Sequence, residues 1–240
     1  MNALPSHEAF VAESLFGNWF LRTHTWRIHV LCRALDDLQR ITPAPVTSGA
    51  RILDVGCGFG HAFAELATRF RPRQIVGVDA DPDISARAQA CVRACAAPVE
   101  LRNANAAALP FADAEFDVLF CHQTFHHIVA QEAALAEFFR VLAPGGMLLF
   151  AESTRKYIYS LPIRLLFRHP MEVQRTADEY VDMIRRAGFH LPVTNISTPY
   201  LWWSRPDFGL GELRGRPVPS KREETLINAV ALKPPAHQVG

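Results

Sequence analysis

The sequence predicts an α/β fold, a doubly wound and mostly parallel sheet of seven strands, on three observations. From residue 51 onwards, short apolar runs that suit buried strands alternate with longer stretches of helical periodicity. The first run, Ile52-Leu53-Asp54-Val55, passes directly into glycines at every second position, Gly56-Cys57-Gly58-Phe59-Gly60. The second run, Val76-Gly77-Val78, ends on an acid, Asp79, about twenty residues after the glycines, which is the layout of a nucleoside site in such a sheet.

The elements follow in order. Residues 7–39 are rich in aromatic and aliphatic side chains and hold no proline, which predicts one or two amphipathic helices ahead of the sheet. Residues 41–49 carry prolines and threonines and read as a linker. A strand at 51–55 leads to a helix at 61–70, and a strand at 74–79 leads to a helix at 82–96, with Pro82 suited to its first position. Strands follow at 99–102, 116–121 and 147–152, with a helix at 131–142. A helix at 177–187 precedes the last strands, 191–196 and 225–232, separated by a turn-rich loop through 205–221. The alternation implies parallel strands with helices on both faces. The expected organisation is a helical cap and linker over 1–48, one α/β domain over 49–233 and a frayed tail over 234–240.

Composition narrows the function classes. A net charge of +1 gives no global attraction to nucleic acid. An apolar share of 49% fits a globular enzyme and excludes a disordered chain. There is no apolar run of about 18 residues, so no helix is expected to span a membrane. No basic segment followed by an apolar stretch opens the chain, so a cytoplasmic location is expected. Five cysteines form no CxxC pair, which suits thiols in a reducing compartment, and no metal site is expected.

The glycine loop reads D-x-G-x-G-x-G. Its last glycine, Gly60, falls one residue early for a pyrophosphate loop, and residues 52–67 hold no lysine or arginine to meet phosphate. The pattern suits a ligand without phosphates, such as an adenosine carrying an amino-acid tail. The carboxylate of Asp79 can accept hydrogen bonds from ribose hydroxyls.

This loop resembles motif I of the class I S-adenosylmethionine-dependent methyltransferases. Other segments resemble the family in its order. They are Leu109-Pro110-Phe111 with Phe116-Asp117-Val118-Leu119-Phe120, the turn Val141-Leu142-Ala143-Pro144-Gly145-Gly146, Thr176-Ala177-Asp178-Glu179-Tyr180, and Ala187-Gly188-Phe189. They span roughly residues 50 to 190 and are similar to the small-molecule, type 11 or quinone-biosynthesis-like subgroup. The resemblance implies a Rossmann-like fold ending in an antiparallel hairpin, S-adenosyl-L-methionine as cofactor, and methyl transfer yielding S-adenosylhomocysteine. It assigns Gly56, Gly58 and Gly60 to the methionine part of the cofactor, with Asp54 ordering the loop and meeting the amino-acid end. Cys57 and Ala80 join Asp79 among the cofactor-binding residues, and His122 stands where the family covers the sulfonium end. Asn105-Ala106 aligns with an Asp-Ala pair that meets adenine. The amide oxygen of Asn105 can still accept that bond, without charge assistance.

Methyl transfer is an in-line displacement, so the protein mainly aligns the reactants and excludes water. Where the acceptor must lose a proton, His126 and His127 are the candidate bases, His127 favoured; the alternative is that they pack or cap the following helix. Cys121-His122-Gln123-Thr124 differs from Asn-Pro-Pro-Tyr, which argues against methylation of adenine in DNA. Residues 155–168, the N-terminal Trp19, Phe20, Arg22, Trp26 and Arg27, and Trp202-Trp203 mix cationic and large apolar side chains. The expectation is a lid over a small hydrophobic acceptor methylated at O, C or N. A peripheral contact with a membrane surface is the sharper reading of the same segments. Two other classes compete. A nicotinamide-dependent oxidoreductase is disfavoured by the early third glycine, and a binding or regulatory protein without turnover is hinted at by Asn105 alone.

Overall fold

A computed structural model describes residues 13–235. Among the described residues there are seven strands, β1 (Arg51–Val55), β2 (Gln74–Asp79), β3 (Val99–Asn103), β4 (Phe116–His122), β5 (Leu142–Ser153), β6 (Ile196–Ser197) and β7 (Leu226–Leu232). They form one sheet in the order β3-β2-β1-β4-β5-β7-β6. The first five pair in parallel, while β7 runs antiparallel to both β5 and β6. The expected doubly wound sheet with a terminal antiparallel hairpin is the observed one. Strand order reverses between β1 and β4, and the crevice at the carboxyl ends there is where such sheets bind ligands.

The chain before the sheet forms α1 (Leu15–Leu21), α2 (His24–Trp26) and α3 (Arg33–Ile41). Ser14 and Thr23 accept hydrogen bonds from the backbone N–H groups of Gly17 and Trp26, so each helix start is capped by a hydroxyl. A π-helical turn, Arg27–Cys32, joins α2 to α3 without a break. Leu31, Leu35, Leu38 and Ile41 lie at helical spacing and are buried in one cluster with Ile52, Phe120, Leu149 and Val230 of the sheet. The part of the expected cap before residue 13 lies outside the described residues, as do residues 236–240 of the expected tail.

The remaining helices are α4 (His61–Phe70), α5 (Ile84–Ala94), α6 (Gln131–Val141), α7 (Arg155–Ile158), α8 (Leu161–Leu166), α9 (Ala177–Arg186) and α10 (Leu210–Leu213). On the face opposite α3, Phe125, Phe138, Phe150 and Tyr180 form the centre of a second buried cluster. α9 opens with a capping box in which Thr176 accepts from the Glu179 N–H and Glu179 accepts from the Thr176 N–H.

Three expectations need correction. The strand expected at 191–196 is mostly a 3₁₀ turn, Val193–Asn195, followed by the two-residue β6. Pro192 cannot donate to a ladder, and the side chain of Asn195 donates to Val230 O (3.2 Å) in its place. α5 starts at Ile84 rather than Pro82, because Asp81 first folds the chain into a turn, its carboxylate accepting from Asp83 N–H (2.8 Å) and its carbonyl from Ile84 N–H (3.1 Å). β5 begins at Leu142, well before Met147, because Leu142 pairs with Phe116 ahead of a register shift.

Candidate active site

A cleft of about 470 Å³ opens at the carboxyl ends of β1, β2 and β4. The sheet brings together ten of the twelve residues singled out from the sequence. Asp54, Gly56, Cys57, Gly58, Asp79, Ala80, Asn105, Ala106, His122 and His127 all line this cleft. Gly60 and His126 do not line it. Gly60 is instead the left-handed residue (φ +75°) that launches α4, packed so closely on Phe63 that an added Cβ would lie 2.5 Å from its ring.

The glycine loop is held by β2 and by the turn after β4. Gly56 N–H and Cys57 N–H both donate to Val78 O, at 2.8 and 3.0 Å. Asp79 accepts from Gly58 N–H at 2.9 Å and from Asp81 N–H at 3.0 Å, so its carboxylate fixes the loop while each oxygen keeps acceptor capacity. Gly56 has φ +73°, and a Cβ there would fall 2.1 Å from the Thr124 side chain. Thr124 reaches that position because Gln123, just after β4, takes a left-handed conformation (φ +52°) that folds the chain back toward the loop.

Asp54 is buried at the floor of the cleft, 2% exposed, and its Oδ2 has no hydrogen-bond partner among the described residues. Burial, reinforced by the nearby charge of Asp79, pushes its pKa up to about 8. A buried carboxyl with an unpaired oxygen on a cleft wall is suited to a cationic or hydrogen-bond-donating ligand. Arg87 is the one arginine or lysine among the described residues lining the cleft, and it is already paired with Asp81. The wall therefore offers acceptors for an amine and hydroxyls rather than free cations for phosphates. Asn105 turns its Oδ1 onto the N–H of Ala107 at 2.9 Å, leaving that oxygen one further lone pair.

The other end of the cleft is aromatic. His122 stacks on Phe120 (5.7 Å between centroids, 8° between planes) and meets the edge of Trp26 at 5.6 Å. Its Nε2 and the Nδ1 of His127 are buried without partners among the described residues. Burial and the neighbouring His126 bring the His122 pKa down to about 3, and burial with His126 and His169 holds His127 well below the usual imidazole range. Both rings are neutral at pH 7 and suited to hydrogen bonding rather than to carrying a proton. His126 faces away from the cleft wall. Its Nδ1 lies 2.5 Å from Glu152 Oε2, and the other Glu152 oxygen accepts from Thr124 N–H (2.8 Å) and Phe125 N–H (2.7 Å). Glu152 thus anchors the whole turn after β4.

Several wall residues were not singled out from the sequence. Asn18 of α1 accepts from Arg87 at 2.6 Å, and the Arg87 guanidinium lies 4.5 Å over the Phe59 ring. These contacts fold α1 over the glycine loop. No local motif marks Asn18 or Thr124, because each is placed by the tertiary fold. His169, on the segment after α8, does not line the cleft; it sits behind the wall, 4.8 Å from the His127 ring and 5.1 Å from that of His126, between centroids.

A cleft at the switch point of a mostly parallel seven-stranded sheet, with a glycine loop and an acid ending β2, defines a nucleoside-binding α/β enzyme. The profile of the family described as "Methyltransferase domain" matches residues 53–150. A probable S-adenosylmethionine-dependent methyltransferase of Mycolicibacterium smegmatis is 31% identical, over 80% of this chain and 70% of its own length. The O-methyltransferase cnsE of Penicillium expansum is 29% identical, over 84% of this chain and 72% of its own. In fold, the chain superposes with a TM-score of 0.70 on the methyltransferase solved in complex with the Haloferax volcanii Trm112 methyltransferase activator. That match is 21% identical and covers 93% of this chain and 97% of the other. The chain belongs to the class I S-adenosylmethionine-dependent methyltransferases, enzymes whose cofactor is S-adenosyl-L-methionine.

Proposed function

We propose that the protein transfers a methyl group from S-adenosylmethionine to a small hydrophobic acceptor, held between the Trp26–His122–His127 end of the cleft and the helices of the N-terminal cap. The observation that carries this reading is the buried carboxyl of Asp54 at the floor of the glycine-loop cleft, whose Oδ2 has no hydrogen-bond partner among the described residues. An amino-acid ammonium suits that oxygen, and a nucleoside suits Asp79 beside it. When bound, the cofactor supplies a methyl carbon already activated by its sulfonium.

The chain's own residues supply position and dryness. Asp54 and the Gly56–Gly58 backbone hold the amino-acid end, Asp79 and Ala80 the ribose, and Asn105 and Ala106 the base. Asn18 and Arg87 close α1 over the loop and exclude water. His122 presents a neutral ring nitrogen to the acceptor, which orients a hydroxyl or amine by a hydrogen bond, and His127 stands beside it on the cleft wall. His126 contributes through Glu152 by fixing the turn that carries His127.

A hydrophobic acceptor is supported by the apolar composition of the entrance side. Leu21, Trp26, Leu31 and Ile128 line the cleft, and Leu15, Trp19, Leu161 and Leu165 stand exposed on α1 and α8. Ser14 of the first segment donates to Leu166 O at 2.5 Å and Phe16 meets the edge of Phe167 at 5.6 Å, so α1 and α8 form one rim. The exposed Arg164 and Arg168 flank it, which favours peripheral contact with a membrane that presents the acceptor. All five cysteines are free thiols, in keeping with a cytoplasmic location.

The experiment is a turnover assay that reads S-adenosylhomocysteine release with panels of phenolic, enolic, carboxylic and amine acceptors of graded hydrophobicity. Turnover rising with acceptor hydrophobicity supports the reading. Tight donor binding without turnover on any panel favours the binding or regulatory alternative.

A further inference from the structure

We propose that His126, His127 and His169 form a binding site for a divalent transition-metal ion of the zinc class, set into the wall of the acceptor end of the cleft. Each imidazole offers one ring nitrogen, and the three nitrogens lie within 4.8 Å of one another. In a tetrahedral zinc site, with bonds of about 2.0 Å, ligand nitrogens stand roughly 3.3 Å apart. Closing the gap takes shifts of about 1 Å or a little more, which small side-chain rotations supply.

Three features mark this as more than a stack of rings. His126 is 2% exposed and its Nδ1 is held by Glu152 at 2.5 Å, which leaves Nε2 as the ring nitrogen free to coordinate. A carboxylate on the far nitrogen of a histidine ligand is the usual outer partner of a metal site, because it fixes the tautomer and raises ligand basicity. His127 has a buried Nδ1 with no hydrogen-bond partner among the described residues, a cost that a bound ion or its water would relieve. His169 comes from a different part of the chain and completes the set, its ring 5.1 Å from that of His126 and 4.8 Å from that of His127. Three imidazoles with a fourth position open is the donor set of catalytic rather than structural zinc, and imidazole selects zinc, cobalt, nickel or copper over calcium and magnesium.

The site has a consequence for chemistry. His127 belongs both to the cluster and to the cleft wall. An ion there would border the acceptor and take an oxygen of a phenol, enol or carboxylic acid as its remaining ligand. As a Lewis acid it would lower that oxygen's pKa so that its proton passes to solvent before the acceptor is enclosed, leaving an oxyanion whose lone pair forms the new carbon–oxygen bond as the methyl–sulfur bond breaks and S-adenosylhomocysteine leaves. This last step rests on the methyl-transfer reading; metal binding itself does not.

The test uses the untagged chain, stripped with a chelator, desalted, and titrated with Zn²⁺ by calorimetry, with the retained metal counted by elemental mass spectrometry. Wild type and His169→Ala are compared, and S-adenosylhomocysteine binding to each is measured in parallel. His169 carries no hydrogen bond to Glu152, so its loss spares the turn after β4. The proposal expects one Zn²⁺ per chain in wild type. It expects affinity lowered at least about tenfold in His169→Ala, with cofactor binding kept in both, and visible d–d bands with Co²⁺ in wild type alone. No stoichiometric metal in wild type, or equal affinity in the variant, overturns it. Loss of cofactor binding in a chain that still takes up metal would count against the methyl-transfer reading instead.

Discussion

Asn18 Oδ1, on the first helix, accepts a 2.6 Å hydrogen bond from the guanidinium of Arg87, on the helix after β2. The pair joins the N-terminal cap to the glycine-loop half of the cleft across sixty-nine positions of sequence. Arg87 is also paired with Asp81 and lies over Phe59 of the glycine loop, so one side chain couples cap, loop and β2. Hydrogen bonds to a charged group contribute roughly 1.5–3 kcal/mol. Asn18→Ala is therefore expected to weaken cofactor binding by roughly tenfold and to expose α1 to limited proteolysis. Binding and cleavage rates unchanged from wild type would show that the cap closes without this pair.

Asp54 gives a pH dependence with a definite sign. Its native pKa is pushed up to about 8 from an ordinary value of 3.8, so between those values the native chain holds a proton that the unfolded chain has released. The contribution of Asp54 to stability is present below about pH 4 and is lost as pH rises toward 8. Asp54→Asn cannot titrate. The ligand-free wild type should lose thermal stability relative to Asp54→Asn as pH is raised from 5 to 8.5. A ligand ammonium that needs the carboxylate should release a proton on binding near pH 7, seen as a calorimetric enthalpy that varies with the ionisation enthalpy of the buffer. Parallel stability curves for the two proteins would place the group in a better solvated state.

Gly56→Ala tests the loop. The substitution imposes a side chain at φ +73° and sets its Cβ 2.1 Å from Thr124. A destabilisation of about 2 kcal/mol or more is expected in denaturant unfolding, with cofactor affinity lost in parallel. Thr124→Ser removes the Cγ2 methyl group that the new Cβ would strike and should recover part of the loss. No recovery would place the cost in backbone strain and in the remaining Thr124 Oγ1 and Cβ contacts, at 2.2 and 2.6 Å from the added Cβ.

The rim of α1 and α8 predicts binding to anionic vesicles at low salt. Leu15 is 91% exposed and Leu165 75%, with Arg164 and Arg168 nearby. Leu165→Glu with Leu15→Glu should abolish co-sedimentation without changing cofactor affinity. Absence of wild-type co-sedimentation would remove the membrane reading and leave the rim as an acceptor entrance alone.

The glycine-loop half of the cleft was legible in sequence because it is local. Asp54 to Gly58 and Asp79-Ala80 sit at strand ends, where a strand, a turn and a helix start leave a pattern within a few residues. The structure places them on one wall, as the spacing implied. The aromatic end was far less legible, because it is assembled from Trp26 of α2 and the turn after β4, which meet only through tertiary packing. His126 and His127 stand out in the sequence as a pair, but their adjacency there hides their different settings. One ring turns to Glu152, and the other reaches the cleft. Gly60 matched a motif position and serves the helix start instead of the wall. The strand expected at 191–196 failed at Pro192, where apolar content outweighed the missing N–H.

The central claim is that the Asp54–Asp79 cleft binds S-adenosylmethionine. Its most direct test is calorimetric titration of S-adenosylmethionine and S-adenosylhomocysteine into wild type and Asp79→Ala, with folding of both checked by circular dichroism. Saturable binding of both ligands at one site per chain, weakened at least about a hundredfold in a folded Asp79→Ala, is the predicted result. No binding of either ligand to folded wild type would contradict the account.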